Sequence, residues 1–172
     1  MLKVLKNLLQ EIQHTPDLSV ALDKVAVGIQ DVLEADVSAM LLIDHEAHEF
    51  VVVASAGFGS AEEMSSLKRR FSLELGLVGL VASKKETINV ANVSEHEAYY
   101  PFFGETEKQY QTMLAAPLLH RKKLLGVLLV AQERSELFDD TEEAFLSTLA
   151  AQLANFIDEQ GGASYFLDQI EQ

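Results

Sequence analysis

The stretch from Met113 to Ala154, MLAAPLLHRKKLLGVLLVAQERSELFDDTEEAFLSTLAAQLA, constrains the fold more than any other part of this chain. An apolar strand closes at Pro117 to Leu119, a basic turn follows at His120 to Lys123, and a glycine-centred strand, LLGVLLV, runs on. Residues 112–119 and 124–131 are apolar on both faces, which predicts central strands covered on each side. An acidic turn then leads into an amphipathic helix over residues 141–160. Asp139 or Asp140 stands at its cap, with Glu142 or Glu143 placed to reach back. Leu146, Leu149, Leu153 and Phe156 make its apolar stripe, and Gly161-Gly162 ends it.

Upstream, Leu2, Leu5, Leu9 and Ile12 fall at helical spacing. Thr15-Pro16 breaks that pattern, with Thr15 expected as N-cap and Pro16 at the first position of a second helix. Leu18, Leu22, Val25, Ile29, Val32 and Leu33 would face inward on it. Residues 36–43 and 49–56 read as a hairpin joined by the polar turn Asp44 to His48. Val37, Ala39, Leu41 and Ile43 are expected on one face, matched by Phe50, Val52 and Ala54. Ser60 to Lys68 reads as a short helix or loop, Phe71 to Leu75 as a short strand, and Gly76 to Val81 as a glycine turn feeding a brief helix. Thr87 to Val90 is another short strand. Residues 92–111 form a long polar and aromatic segment, of the kind more often functional than merely connecting.

The 172 residues suit one domain with a proper core. A net charge of −14 argues against a nucleic-acid or anionic-membrane surface, because phosphate binding needs a basic stripe. Lys68, Arg69 and Arg70, and Arg121 to Lys123, read as solvated loop charge before they read as anion sites. The chain has no cysteine, which excludes disulfides, thiolate metal sites, cysteine nucleophiles and thioether-linked chromophores. No apolar run reaches the ~20 residues of a membrane span. The N-terminus, MLKVLKNLLQEIQ, is too polar for a signal peptide, and a cytoplasmic location is expected.

Chemistry-bearing clusters are scarce. Asp44-His45-Glu46-Ala47-His48-Glu49 has histidines three apart on a turn, whereas the helical zinc motif needs them four apart on one face. It reads as a solvated turn, and no metal ligand is assigned. Gly76 and Gly79 lack the further glycines and the Lys-Ser/Thr pair of a nucleotide loop. Backbone N–H groups beside Gly76 and Val78 could still meet a ligand carboxylate at the helix start. Glu62-Glu63, Asp139-Asp140 and Glu142-Glu143 sit at predicted helix starts, where negative charge suits the dipole. There is no GxSxG, and no catalytic residue is assigned. The best pocket candidates are Asn92, His96, Tyr99, Tyr100, Phe102, Phe103 and Tyr110, with Thr106, since aromatic walls and a few polar heads suit a small polar metabolite.

The order of two helices, a hairpin, a variable middle, a second hairpin and a long helix resembles the GAF family over residues 14–160. The match is specific at Asp36 to Ile43, Gly76 to Val81, Ile88 to Asn92 and, above all, Leu114 to Ala154. Within that family the chain is most similar to the N-terminal sensor domains of nitrogen-type phosphoenolpyruvate-protein phosphotransferases. GLVGLVASKKETINVANVSEHEAYY, LAAPLLHRKKLLGVLLVAQ and DDTEEAFLSTLAAQLA carry that closer likeness.

The resemblance implies an α+β domain with an antiparallel sheet of about five or six strands. The N- and C-terminal helices would pack on one face, and a loop and helix lid on the other. It implies a regulatory domain at 14–160, preceded by a dimerisation helix at 1–13. Residues 161–172 would begin a linker helix to a catalytic region that is not in this chain. The phosphorylated histidine, the Mg²⁺ and phosphoenolpyruvate sites, and contact with a phosphocarrier protein would belong to that region, with no cofactor here. The signal would be a nitrogen-status metabolite such as glutamine. Leu2, Leu5, Leu9, Leu149, Leu153 and Phe156 are expected to seam a homodimer through helices at coiled-coil spacing.

Two alternatives stand beside this reading. One is a dimerisation scaffold that binds nothing. The other is a cyclic-nucleotide sensor, whose family members carry an Asn-Lys pair, a Phe and an Asp-Glu near the last strand and helix. This chain offers Gln132, Glu133 and Arg134, then Phe138, then Glu142-Glu143, a partial match.

Overall fold

The computed structural model describes residues 2–14, 16–57, 70–100 and 110–170. Expectations for Thr15, Ser60 to Lys68, Arg69, Phe102, Phe103 and Thr106, and for the side chain of Leu2, therefore lie outside what is described.

Two helices open the chain, α1 (Leu2–His14) and α2 (Leu18–Leu33). On α1 the buried side chains are Leu5, Leu8 and Ile12, while Leu9 is only partly covered. The start of α2 differs from the sequence expectation. Asp17 is the N-cap, its carboxylate accepting from the N–H groups of Ser19 and Val20 at 3.0 and 3.4 Å. Pro16 therefore precedes the cap. A carboxylate satisfies the open N–H groups of a first turn and meets the positive end of the helix.

Strands β1 (Val37–Asp44), β2 (Glu49–Ala56), β3 (Arg70–Ser72), β4 (Ile88–Ala91), β5 (Thr112–His120) and β6 (Lys123–Gln132) form one antiparallel sheet in the order β3-β2-β1-β6-β5-β4. Helix α3 (Gly76–Lys84) and a 3₁₀ turn (Val93–Glu95) lie between β3 and β5 in sequence, flanking β4. Helices α4 (Asp140–Glu159) and α5 (Gly162–Ile170) close the chain. This is the expected α+β architecture with six strands.

Each face of the sheet has its own core. Leu114, Ala116, Leu118, Leu128 and Val130 face the layer of α1, α2, α4 and α5. Ala39, Leu41, Ile43, Phe50, Val127 and Leu129 face α3. The α3 side matches the expected inward set except at Ala54, which packs on the terminal-helix side. The cause is a bulge in β2: Met40 pairs with Ala54 but Leu41 with Val52, so Val53 is an extra residue that reverses the alternation.

Leu149 and Leu153 are fully buried within this core. They face the sheet of their own chain, so neither is available to seam a dimer. Phe156 is half-buried and packs edge-on to Phe166 of α5, at a centroid distance of 6.1 Å. Helix α5 lies back on the domain, with Ala163, Phe166 and Leu167 buried.

Candidate functional site

Helix α3 and the β1–β2 turn bound a groove at one end of the sheet. The chain turns into α3 at Leu75, an extended N-cap residue whose side chain makes no capping hydrogen bond, and at Gly76, which adopts φ 72°. A β-carbon on Gly79 would stand 2.8 Å from the Leu73 carbonyl oxygen, so only glycine lets the helix sit this close to the preceding turn. The Val78 side chain is buried with Val81 against the sheet, because the helix period turns it inward, while Gly76 lines the opening.

The groove holds about 480 Å³, within the range of about 300–1,000 Å³ that small-molecule sites occupy. Ile43, Leu80 and Leu124 supply apolar walls; His45, His48, Glu74 and Ser83 bring polar heads. His45 Nε2 lies 3.1 Å from the Leu124 carbonyl oxygen, tying the β1–β2 turn to the start of β6. His45 and His48 have no assigned role in the sequence reading. Their position depends on where α3 docks, and a turn composition carries no signal for that.

The other described candidates do not converge on this groove. Asn92 is exposed in a left-handed conformation (φ 50°) at the end of β4. His96 Nδ1 accepts from the Ala98 N–H at 3.0 Å, a local contact within its own turn. Tyr99 packs against Leu77, Val93 and Met113. Tyr100 is exposed over about half its surface, at 46%. Tyr110 is buried with Val37 and Ala131, which puts it roughly 20 Å from Ile43 along β1 at strand rise. Ala98, in the middle of the predicted lid, does line the groove.

Charge at the rim is organised by Arg70. Its guanidinium donates to Asp44 Oδ2 at 3.0 Å and to Glu49 Oε1 at 3.2 Å. Asp44 also accepts from the Ala47 N–H at 3.2 Å, closing the turn. That backbone bond first, and the guanidinium second, hold the Asp44 carboxyl below its ordinary range. Arg70 is therefore paired rather than free in solvent. Among the described residues no group of three His, Asp or Glu side chains is placed to hold a metal ion.

The stretch compared with cyclic-nucleotide sensors fixes the β6–α4 loop. Arg134 Nη2 donates to Gln132 Oε1 at 2.7 Å, Gln132 Nε2 to the Glu136 carbonyl at 2.9 Å, and Thr112 Oγ1 to the Arg134 carbonyl at 2.7 Å. Phe138 is buried, and Asp139 and Glu142 form a reciprocal capping box. No helix among the described residues is long and apolar enough to cross a membrane.

The family model for GAF domains matches residues 17–157. A curated phosphoenolpyruvate-dependent phosphotransferase system protein of Salmonella typhimurium is 28% identical over 166 residues, which cover 96% of this chain and 22% of that protein. This chain thus spans about a fifth of that relative. Among solved structures, the GAF domain of a phosphoenolpyruvate-protein phosphotransferase from Coxiella burnetii is 35% identical, with a TM-score of 0.79 and 92% of each chain covered. The corresponding domain from Acinetobacter is 31% identical, with a TM-score of 0.75 and 90% of each chain covered.

Proposed function

The chain belongs to the GAF domain family, and from that membership we propose that it is a regulatory module that senses a small molecule. The groove between α3 and the β1–β2 turn carries the reading. It joins apolar walls to polar heads on the sheet face turned away from the terminal helices. A ligand there would be gripped by His45, His48, Glu74 and Ser83, with Ala98 bringing its own segment to the edge.

The likeness to phosphoenolpyruvate-protein phosphotransferase domains supports a parent transferase of that kind. This chain's part in it is control. Phosphoryl transfer, Mg²⁺ and phosphocarrier contact fall to other domains of the parent. A nitrogen-status metabolite such as glutamine is the first ligand to test.

The test is a thermal-shift panel with glutamine, glutamate, 2-oxoglutarate and the cyclic nucleotides at millimolar concentration. A ligand that binds only the folded state raises the midpoint by mass action. One selective, dose-dependent rise that is lost in His48→Ala supports sensing in this groove. A flat panel counts against it and favours the second reading, a dimerisation scaffold. That reading has its own surface, a groove of about 670 Å³ lined by Ile12, Leu18, Phe156 and Tyr165.

A further inference from the structure

We propose that the tip of the β5–β6 hairpin is a mechanical link between the groove and the C-terminal helices, with Leu124 as its groove end and Lys123 as its helix end.

The link is built by a bulge. Leu118 pairs with Gly126, but Leu119 pairs with Leu124, leaving Leu125 as an extra residue in β6. Beyond the bulge, Val127 and Leu129 face α3 while Leu128 and Val130 face the terminal helices. Leu125 also faces the terminal helices, out of step with that alternation. The extra residue re-aims the tip, so that Leu124 lines the groove. Without it, the alternation of side chains would turn Leu124 to the helix side and Lys123 to the groove.

Both ends are held by polar contacts. On the groove side, the Leu124 carbonyl lies 3.1 Å from His45 Nε2. On the helix side, Lys123 Nζ lies 3.4 Å from Asp158 Oδ1, and His120 Nε2 lies 3.9 Å from Asp158 Oδ2. Asp158 sits in the last turn of α4 with a side chain only 18% exposed. A mostly covered carboxylate at the negative end of a helix needs cations beside it. The hairpin supplies the Lys123 ammonium, with the His120 ring paired directly across its turn. Between them, Arg121 and Lys122 are both left-handed (φ 49° and 69°), conformations that side chains other than glycine disfavour. That tight turn keeps His120 and Lys123 side by side.

A ligand in the groove that presses on Leu124 or competes for its carbonyl would therefore act on Asp158, three residues before Gly161 and the entry to α5. Coupling of this kind needs one element that both sites bias, and the hairpin tip is that element.

This role rests on the sensing reading, but its test needs no ligand, so a flat ligand panel and a broken link are separate results. Amide hydrogen exchange is measured on the ligand-free protein and on its His45→Ala, Asp158→Asn and Glu11→Gln variants. Rates are read relative to core amides of residues 127–130, which report global opening. We expect His45→Ala to speed relative exchange in residues 157–166, and Asp158→Asn to speed it in residues 45–49, each by about fivefold or more. The α1 control should do neither. Changes confined to each variant's own contacts overturn the link, and so does a uniform rise, which leaves the ratios unchanged.

Discussion

Gly126 lies against the Leu41 carbonyl: the space where a β-carbon on Gly126 would point is already filled by that oxygen. Gly126 pairs with Leu42 on one side and Leu118 on the other, so this close approach sits at the centre of the sheet, next to the bulge that re-aims the hairpin tip. Backbone atoms cannot step aside as side-chain ends can. We expect Gly126→Ala to cost about 1–3 kcal/mol or more through overpacking, read as a lower urea midpoint with an unchanged slope.

The Asp139–Glu142 box should behave as an independent unit. Asp139 accepts from the Glu142 N–H at 2.8 Å, and Glu142 accepts from the Asp139 N–H at 2.9 Å. Asp139→Ala should cost about 1 kcal/mol, the usual loss for a removed cap. Equilibrium denaturation measures it. Any ligand-induced thermal shift should keep its size, because the box lies outside the groove.

These two elements show what the sequence makes legible. Capping chemistry is local, so Asp139 and Glu142 could be read from their spacing and the preceding acidic turn. The β5–β6 hairpin could be read from two apolar runs around a short basic turn. The bulges at Val53 and Leu125 could not. Each depends on pairing with a distant strand, and each lies in a run that is apolar on both faces, where a change of alternation leaves no mark in the sequence. Ala54 was misplaced for that reason. The groove was half legible: Gly76 follows from turn chemistry, whereas His45 and His48 reach it only through the docking of α3. That the C-terminal helix packs on the sheet was legible; that Leu149 and Leu153 are spent wholly on that packing, leaving only Phe156 of the stripe partly covered, was not.

Stability should fall in acid through Asp44. Its folded value is depressed below the ordinary 3.8, so its stabilising contribution is complete above that value and is lost as pH falls through the lower folded value. We expect Asp44→Asn to flatten part of the acid limb of denaturant midpoints measured between about pH 2 and 5. Arg70→Ala should flatten it less, since the Ala47 N–H remains in place.

Gln132 and Arg134 should prove structural. Gln132 is 2% exposed and both its ends are bonded, to Arg134 and to the Glu136 carbonyl. Gln132→Ala leaves those partners without it and should cost about 1–3 kcal/mol. Cyclic nucleotides should shift the melting of neither the wild type nor this variant. A dose-dependent shift by cyclic AMP or cyclic GMP, abolished by Gln132→Ala, would instead give these residues a ligand role.

Leu153 separates a core from an oligomer seam. If it packed against a second copy, Leu153→Ala would act on association, and its effect would grow on dilution. Its side chain is fully buried beside Leu149 and Ala150 within the protomer. We therefore expect a loss of about 2–5 kcal/mol, the usual cost of emptying a buried leucine site. Denaturation midpoints of the variant and the wild type should then differ by the same amount at every protein concentration. Phe156→Ala, which removes a half-buried ring packed on Phe166, should cost less. Among the described side chains of the stripes, Phe156 and Leu9 are the ones only partly covered and so able to reach a partner. Sedimentation of the Phe156→Ala variant should then show weakened association where Leu153→Ala shows only weakened folding.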